Sequence, residues 1–456
     1  MSTITVTNPA TGEAIATYER HGEADVDAAL ERAHAGFQTL WSAGYDSRAA
    51  RLVKAAEILE AEKEDHARLM VSEMGKPISQ ARAEIEKCAA ACRFYAENGE
   101  AFLADEALDA PEKGRCFIRR VPIGPVFAVM PWNFPFWQVF RFAAPNLMAG
   151  NPGLLKHSSN TPGSALAIED VLKRAGFEDG AFQALLIGSE LSSKVIADER
   201  VRGVTLTGSE GAGSKVAEQA GKAILPSVME LGGSDPFIVM PSADLDEAAK
   251  IGVKARTQNN GQSCIAAKRF IVHEQVYEAF RDKFVAHMKA LKVGDPMKDD
   301  TDIGPLADRA AADTLMDQVA QTVDGGAKAL LAPERSGGAF VTPGVLEAIP
   351  KGTPGYEDEM FGPVALLFSA RDLDAAIGIA NDHRYGLGAS FWSRDEAEID
   401  AAATRISAGS TYVNQMVASD PRLPFGGAKK SGYGRELARD GMVAFTNPKT
   451  IAITGV

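Results

Sequence analysis

The feature that most restricts how this chain can fold is a series of short apolar runs alternating with helical segments between residues 126 and 222. "VFAVM", "GLLK", "FQALLIG" and "VRGVTLTGS" read as strands. Between them lie a helix from about Phe136, a helix opening at Thr161-Pro162, and the helical start "EGAGSKVAEQAG". Thr161 as N-cap with Pro162 in the first turn is a start signal, because the N–H that proline lacks has no intrahelical partner there. Strand–helix units of this length close into one parallel sheet through right-handed crossovers, which predicts a doubly wound α/β domain. Ligands of such sheets sit outside the carboxyl ends of the strands, so chemistry is sought in the residues that follow each run.

From Asp25 to about Leu103 the apolar spacing is helical, with Val26, Ala29, Leu30, Ala33, Phe37 and Leu40 on one face. The character switches at "RCFIRRVPIGPVFAVMPWNFP", β-branched and broken by prolines. After "MELGG" a second α/β block begins, with "PFIVM", a helix at Asp244 to Lys254, "KRFIVH", a helix at Val276 to Leu291, "STYVNQ" and the Gly-rich "PFGGAKKSGYGRE". The Gly- and Pro-containing segment Lys292 to Pro305 reads as a surface excursion. A chain of 456 residues is too long for one ordinary core and leaves room for a cleft between subdomains.

Asp and Glu total 61 against 48 Lys and Arg, a net charge of -13 that repels phosphate backbones and anionic membranes. Neither nucleic acid nor a membrane surface is expected as a partner. The opening "MSTITVTNPATGE" has no basic or apolar leader region, and no run reaches the roughly 18 apolar residues of a span, so a cytoplasmic location is expected. Four cysteines make no disulfide framework, and no set at metal spacing accompanies them. Cys88 and Cys92 continue the helical series Ile85, Cys88, Cys92, Tyr95, which predicts packing, while Cys116 alternates with Ile118 as in a strand.

Cys264, in "NNGQSCIAAKRF", follows a polar loop and precedes an apolar strand. That placement suits a thiol nucleophile, and equally a small core residue. Glu230, ending the strand of "VMELGG", is either a general base in a cleft or a strand-end ion-pair member. Asn133, in "MPWNFPFW", can donate to an oxyanion or cap the next helix. Lys156, ending "GLLK", suits a cofactor hydroxyl or phosphate, or simply solvent. "LTGSEGAGSK" joins a strand, a Gly-rich turn and a helix start, without the spacing of the common dinucleotide or P-loop fingerprints.

Together "MPWNFPFW", "LLKHSSNTP", "TGSEGAGSKV", "MELGGSDPFIV", "NNGQSCIAAKR", "EMFGPV" and "PFGGAKKSGYGRE" make the chain resemble the NAD(P)-dependent aldehyde dehydrogenases over essentially its full length. The resemblance implies an aldehyde dehydrogenase-like α/β fold. A Rossmann-type cofactor domain would take residues 1–103 and 123–232, a catalytic domain 233–424, and a β oligomerisation arm 104–122 and 425–456. It implies Cys264 as nucleophile, Asn133 as oxyanion donor and Glu230 as general base. Lys156 and Glu359 would contact ribose, Phe361 the nicotinamide, and Gly208, Ser209 and Gly213 the pyrophosphate, with Trp132 and Leu231 also at the cofactor. A homodimer or homotetramer is implied, since the arm strands would leave open edges in a monomer.

Two departures from the family pattern carry information. Many members have Glu where "KHSS" places Ser159; a carboxylate repels a 2'-phosphate and a hydroxyl bonds it, so NADP is favoured over NAD. Many also have Lys where this chain has Phe142, preceded by Arg141. A guanidinium at the substrate tunnel suits an aldehyde with a distal carboxylate, the alternative being a structural ion pair. With "ASDPRLPFGG", this segment is similar to the shorter bacterial succinate-semialdehyde dehydrogenases, which implies Trp137 and Ser419 at the substrate and Arg422 as a further candidate. The other readings are a broader aldehyde dehydrogenase, acting on glutarate semialdehyde or on aliphatic and aromatic aldehydes, and a silent relative. A silent relative is disfavoured by the presence of Cys264, Asn133 and Glu230, and a CoA-acylating one by Glu230.

Overall fold

Val126–Met130, Gly153–His157, Phe182–Ala184 and Gly203–Thr207 are strands. Their near-continuous apolar character follows from helices covering both faces of the sheet. The computed structural model describes residues 2–109 and 114–454. In the first sheet the spatial order is Gly432–Tyr433, Ser227–Glu230, Gly203–Thr207, Val126–Met130, Gly153–His157, Phe182–Ala184. All neighbours are parallel except the Gly432–Tyr433 edge, where Gly432 lies opposite Glu230. The chain runs outward from Val126–Met130, then returns to its other side with Gly203–Thr207. Strand order reverses between these two, which opens a crevice at their carboxyl ends.

Four helices, Glu23–Ser42, Gly44–Ala61, Lys63–Met74 and Ile78–Phe102, occupy the stretch expected to be helical. An antiparallel pair, Thr3–Thr7 with Ala14–Glu19, precedes them and was not anticipated. Ile78–Phe102 buries Cys88, Cys92 and Tyr95 in the largest core, as their spacing predicts. The helix Pro162–Arg174 does follow Thr161, but the Thr161 hydroxyl bonds the His157 ring (2.9 Å) instead of capping. Buried Glu73 takes over that role, accepting from Gly163 N–H (2.7 Å) and Ser164 N–H (3.0 Å). A carboxylate there satisfies free donors and meets the positive end of the helix.

The second sheet runs Lys328–Leu331, Gly344–Glu347, Val364–Ala370, Ala267–His273, Asp235–Val239, Gly388–Trp392, Ser410–Val413, parallel but for its Lys328–Leu331 edge. Helix Leu245–Thr257 starts where Asp244 accepts from Glu247 N–H, and Tyr277–Lys289 packs its aromatic face on the same sheet. Segment Lys292 to Pro305 is more than a surface excursion. Pro296 O accepts from Ile78 N–H (2.8 Å), Pro305 O accepts from the Asn260 amide (2.8 Å), and Thr301 and Ile303 are buried. Its inner end is fastened because Asn260 also accepts from Gly304 N–H (2.8 Å).

Glu106–Leu108, Gly114–Pro122 and Thr446–Thr454 form a separate antiparallel sheet. Of the arm segments, residues 110–113 and 455–456 lie outside the described residues. Gly432–Tyr433, within the 425–456 range given to the arm, instead extends the first sheet. Among the described residues no helix is long and apolar enough to cross a membrane.

Candidate active site

The loop before Cys264 is built on an unusual backbone. Asn259, Asn260 and Gly261 have φ of 54°, 58° and 74°, three successive residues in the left-handed region. Asparagine tolerates it better than most side chains, and a Cβ at Gly261 would collide with the Gly362 backbone. Such a turn costs about 1 kcal/mol or more per non-glycine residue, so its surroundings must hold it. They do: the Asn259 amide donates to Asn133 O (2.6 Å) and Gln262 O (3.0 Å), while Gly75 O (2.9 Å) and Pro305 O accept from Asn260. Buried Arg256 donates to Gly261 O (2.7 Å) and also to Gly362 O.

Cys264 leaves this turn partly buried. Fully buried Lys268 donates to Cys264 O (2.6 Å) and Ser263 O (2.7 Å) and pairs with Glu359 (3.0 Å). Burial pushes the Cys264 thiol up to about 11; the positive charges of Arg141 and Lys268 pull it down, and the negative charges of Glu359 and Asp235 push it up.

Asn133 is buried and does not cap a helix: Trp137–Ala149 follows Phe136, and the Trp137 N–H of its first turn donates to Glu84 (2.9 Å) instead. Gln138 donates to Asn133 Oδ1 (2.9 Å), which fixes the amide orientation, and Asn133 Nδ2 donates one hydrogen to Gln262 O (3.0 Å). Its second N–H is free for another acceptor. Glu230 ends its strand buried, with both carboxylate oxygens lacking a hydrogen-bond partner among the described residues. Its proton affinity is raised well above that of an ordinary carboxylate, first by desolvation and then by the Glu436 charge, against the pull of Arg141 and Arg435. Among the described residues no ion pair holds it, so the strand-end salt-bridge alternative fails there. Three residues on, a Cβ at Gly233 would lie 2.8 Å from Cys264 O. Gly233 thus lets the segment after the Glu230 strand pass close to the cysteine loop, as Gly232 lets it pass Glu359.

Cys264 lines a cavity of about 570 Å³ together with Trp137, Arg141, Ser419 and Phe425. Asn133 and Glu230 lie outside that lining. Arg141 is buried, paired with Glu436, bonded to Thr207 Oγ1 (3.1 Å) and stacked over Phe425 at 4.5 Å. The structural ion pair therefore exists, and Arg141 faces the cavity with its charge already met. Arg422 is turned outward, bonded to Asp420 at 2.9 and 2.6 Å, and does not reach the cavity. Phe142 packs in the core. Trp137 Nε1 donates to Ser419 Oγ (2.9 Å). The sequence reading missed Lys87, which donates to the same oxygen (2.7 Å), and Gln138; a lysine on an amphipathic helix looks solvated, and Gln138 carries no motif of its own.

The remaining candidates gather at the carboxyl ends of the first sheet. Lys156, one residue before the end of its strand, is partly buried; its proton affinity is lowered first by burial and then by the charge of Arg20. Ser159 is exposed two residues beyond the strand. Ser209 caps helix Glu210–Lys222, its hydroxyl accepting from Ala212 N–H (3.3 Å), and Gly208 N–H bonds Glu230 O (2.9 Å). A Cβ at Gly213 would strike Leu231, and one at Gly211 would meet nothing within 4 Å. The helix start is thus open on one side and pressed to Leu231 on the other, the shape that takes phosphate against backbone N–H groups. Trp132 and Phe361 meet edge to face, centroids 5.9 Å apart. Glu359, expected at a ribose, already pairs with Lys268. Among the described residues no cluster of His, Cys, Asp and Glu could hold a metal ion.

The sequence profile of the aldehyde dehydrogenase family matches residues 1–451. The chain is 52% identical over 455 residues to a succinate-semialdehyde dehydrogenase [NADP(+)] of Mycolicibacterium paratuberculosis, covering 99% of this chain and 96% of that protein. It is 50% identical to a probable succinate-semialdehyde dehydrogenase [NADP(+)] of Synechocystis, with 99% of each covered. Among solved structures, the succinic semialdehyde dehydrogenase of Streptococcus pyogenes in complex with NADP+ superposes with a TM-score of 0.96 at 36% identity, over 98% of this chain and 99% of that one.

Proposed function

The chain belongs to the aldehyde dehydrogenase family, and from that premise we propose that it oxidises succinate semialdehyde to succinate with NADP as the hydride acceptor. The observation that carries this reading is the cavity: Cys264 opens into it, and the cations on its wall, half-buried Lys87 and buried Arg141, suit an aldehyde with a negative end. The names of the relatives point the same way.

In this reading the Cys264 thiolate attacks the aldehyde carbon, a C–S bond forms, and the carbonyl electron pair moves to oxygen. The free Asn133 N–H and the Cys264 backbone N–H hold that oxyanion. Bound NADP would supply the acceptor for the hydride of the thiohemiacetal carbon. Glu230 takes a proton from water as the water attacks the resulting thioester, and rupture of the C–S bond releases the acid and restores the thiolate. The residues that would hold the cofactor are Lys156, Ser159, Gly208, Ser209, Gly213 and Leu231, with Trp132 and Phe361 at its reactive end and Glu359 at a ribose. A serine instead of a carboxylate, with Lys156 three residues before it and the charge of Arg20 felt at Lys156, favours a 2'-phosphate.

Initial rates on paired aldehydes with and without a terminal carboxylate, each with NADP and NAD, test the proposal. A strong preference for succinate semialdehyde over butanal with NADP is expected; equal rates on both would support the broader enzyme instead. In Ser159→Glu the NADP preference is expected to fall about 10- to 100-fold, from like-charge repulsion, and an unchanged preference would remove Ser159 from cofactor choice. We also propose a homodimer or a tetramer of dimers, supported by the outer edge of Thr446–Thr454, which is exposed along most of its length. A monomeric sedimentation mass at micromolar concentration would oppose it.

A further inference from the structure

We infer that Lys87, acting with Ser419, is the group that receives the distal carboxylate of the substrate. This inference rests on the reading of the cavity as the site of an ω-carboxylate aldehyde. Lys87 sits on helix Ile78–Phe102, on the face that Gln80, Ala83 and Glu84 also present to the cavity. Its ammonium donates to Ser419 Oγ (2.7 Å) and lies 4.3 Å over the Trp137 ring. Unlike Arg141, it has no carboxylate partner among the described residues. The acidic groups on the same lining are committed elsewhere. Glu84 pairs with Lys76 and accepts from Phe136 N–H and Trp137 N–H (2.9 Å each). Asp299 pairs with Arg82, Asp300 with Lys292, and Asp302 accepts from Lys292 N–H (2.8 Å). Lys254 also lines the cavity, but it is exposed, where an ion pair gains little.

The hydroxyl of Ser419 is arranged by the same contacts. A serine oxygen has two lone pairs and one hydrogen. Lys87 and Trp137 Nε1 occupy both lone pairs, so Ser419 can only donate, and the cavity that it lines offers the place for an acceptor. Two remaining ammonium hydrogens and one hydroxyl hydrogen are then left at the cavity wall, enough to meet the two oxygens of a carboxylate. Burial and the charge of Arg141 burden Lys87, lowering its proton affinity to about 8. An incoming carboxylate relieves that burden.

The test compares succinate semialdehyde with butanal, equal in chain length, in wild type, Lys87→Met and Lys87→Arg. Lys87→Met is expected to lose about 10- to 100-fold in kcat/KM for the semialdehyde through KM. Turnover of butanal should stay within about threefold, and Lys87→Arg should recover part of the loss. Succinate, used as a competitive inhibitor of butanal oxidation, should lose its hold on Lys87→Met to a similar extent. A Lys87→Met enzyme that keeps the semialdehyde preference overturns the inference, as does loss of the preference in Lys254→Met instead. Should Lys87→Met prove too unstable to assay, Lys87→Gln and Lys87→Arg carry the same comparison, and equal succinate inhibition in both overturns it. A wild-type enzyme indifferent to the terminal carboxylate refutes the proposed substrate itself, a result distinguishable from failure of Lys87 alone.

Discussion

Cys264→Ala is expected to lower aldehyde oxidation by about 10⁴-fold or more, the scale at which removal of an enzymatic nucleophile acts, while NADP binding measured by fluorescence titration stays intact. The variant removes one sulfur from a turn that is held by Asn259, Asn260 and Arg256, none of which bonds that sulfur. The fold should therefore survive the change, and the loss should report chemistry. In wild type the reacting form is the thiolate, and burial holds the thiol at about 11. The deprotonated fraction rises as pH climbs toward that value, so inactivation by iodoacetamide should accelerate about tenfold per pH unit between 7 and 10. Cys264→Ala supplies the blank for labelling at Cys116. Cys88 and Cys92 are buried, with thiols pushed up further still. Residual oxidation at a tenth of the wild-type rate would remove Cys264 as nucleophile; a flat inactivation profile would mean that the cavity already holds a thiolate.

The sheet and its switch point were legible because they are written in local pattern: apolar runs, helix starts and glycines at strand ends. The site was legible only as a set. Asn133, Glu230 and Cys264 each admitted a bland alternative, and the contacts that decide between them come from distant segments. Gln138 orients the Asn133 amide, and Gly233 brings the Glu230 strand to the cysteine loop. Arg141 shows the limit most clearly. Its side chain lines the cavity, yet its charge is spent on Glu436, a partner supplied by the chain's last Gly-rich motif. Lys87 is the converse. Nothing in "AEIEKCAAACRF" separates a lysine that faces a cavity from one that faces water, since helical spacing gives the face and not what packs against it. The segment 292–305 was misread for a related reason: Gly, Pro and Asp mark a loop, but not whether its inner end is bonded to a buried asparagine.

Glu230→Gln separates the two halves of the proposed reaction. Thiohemiacetal formation and hydride loss ask nothing of a carboxylate that takes a proton from water, whereas hydrolysis of the thioester does. The variant should give a first burst of NADPH close to one per active site, followed by steady-state turnover slowed by about 10²- to 10⁴-fold. Hydroxylamine, which needs less help than water to attack a thioester, should restore part of the steady rate. The amide is nearly isosteric, and both Glu230 oxygens lack partners, so no hydrogen bond is lost in the exchange. The sign of the pH effect follows from burial. Desolvation and the Glu436 charge raise the Glu230 proton affinity, so a growing share of the enzyme holds a protonated, inactive base as pH falls through that raised value. Wild-type turnover limited by hydrolysis should therefore drop on the acid side, at a pH above that of an ordinary carboxylate, and Glu230→Gln should lose that limb. A variant with no burst and an unslowed steady rate would assign water activation to another group.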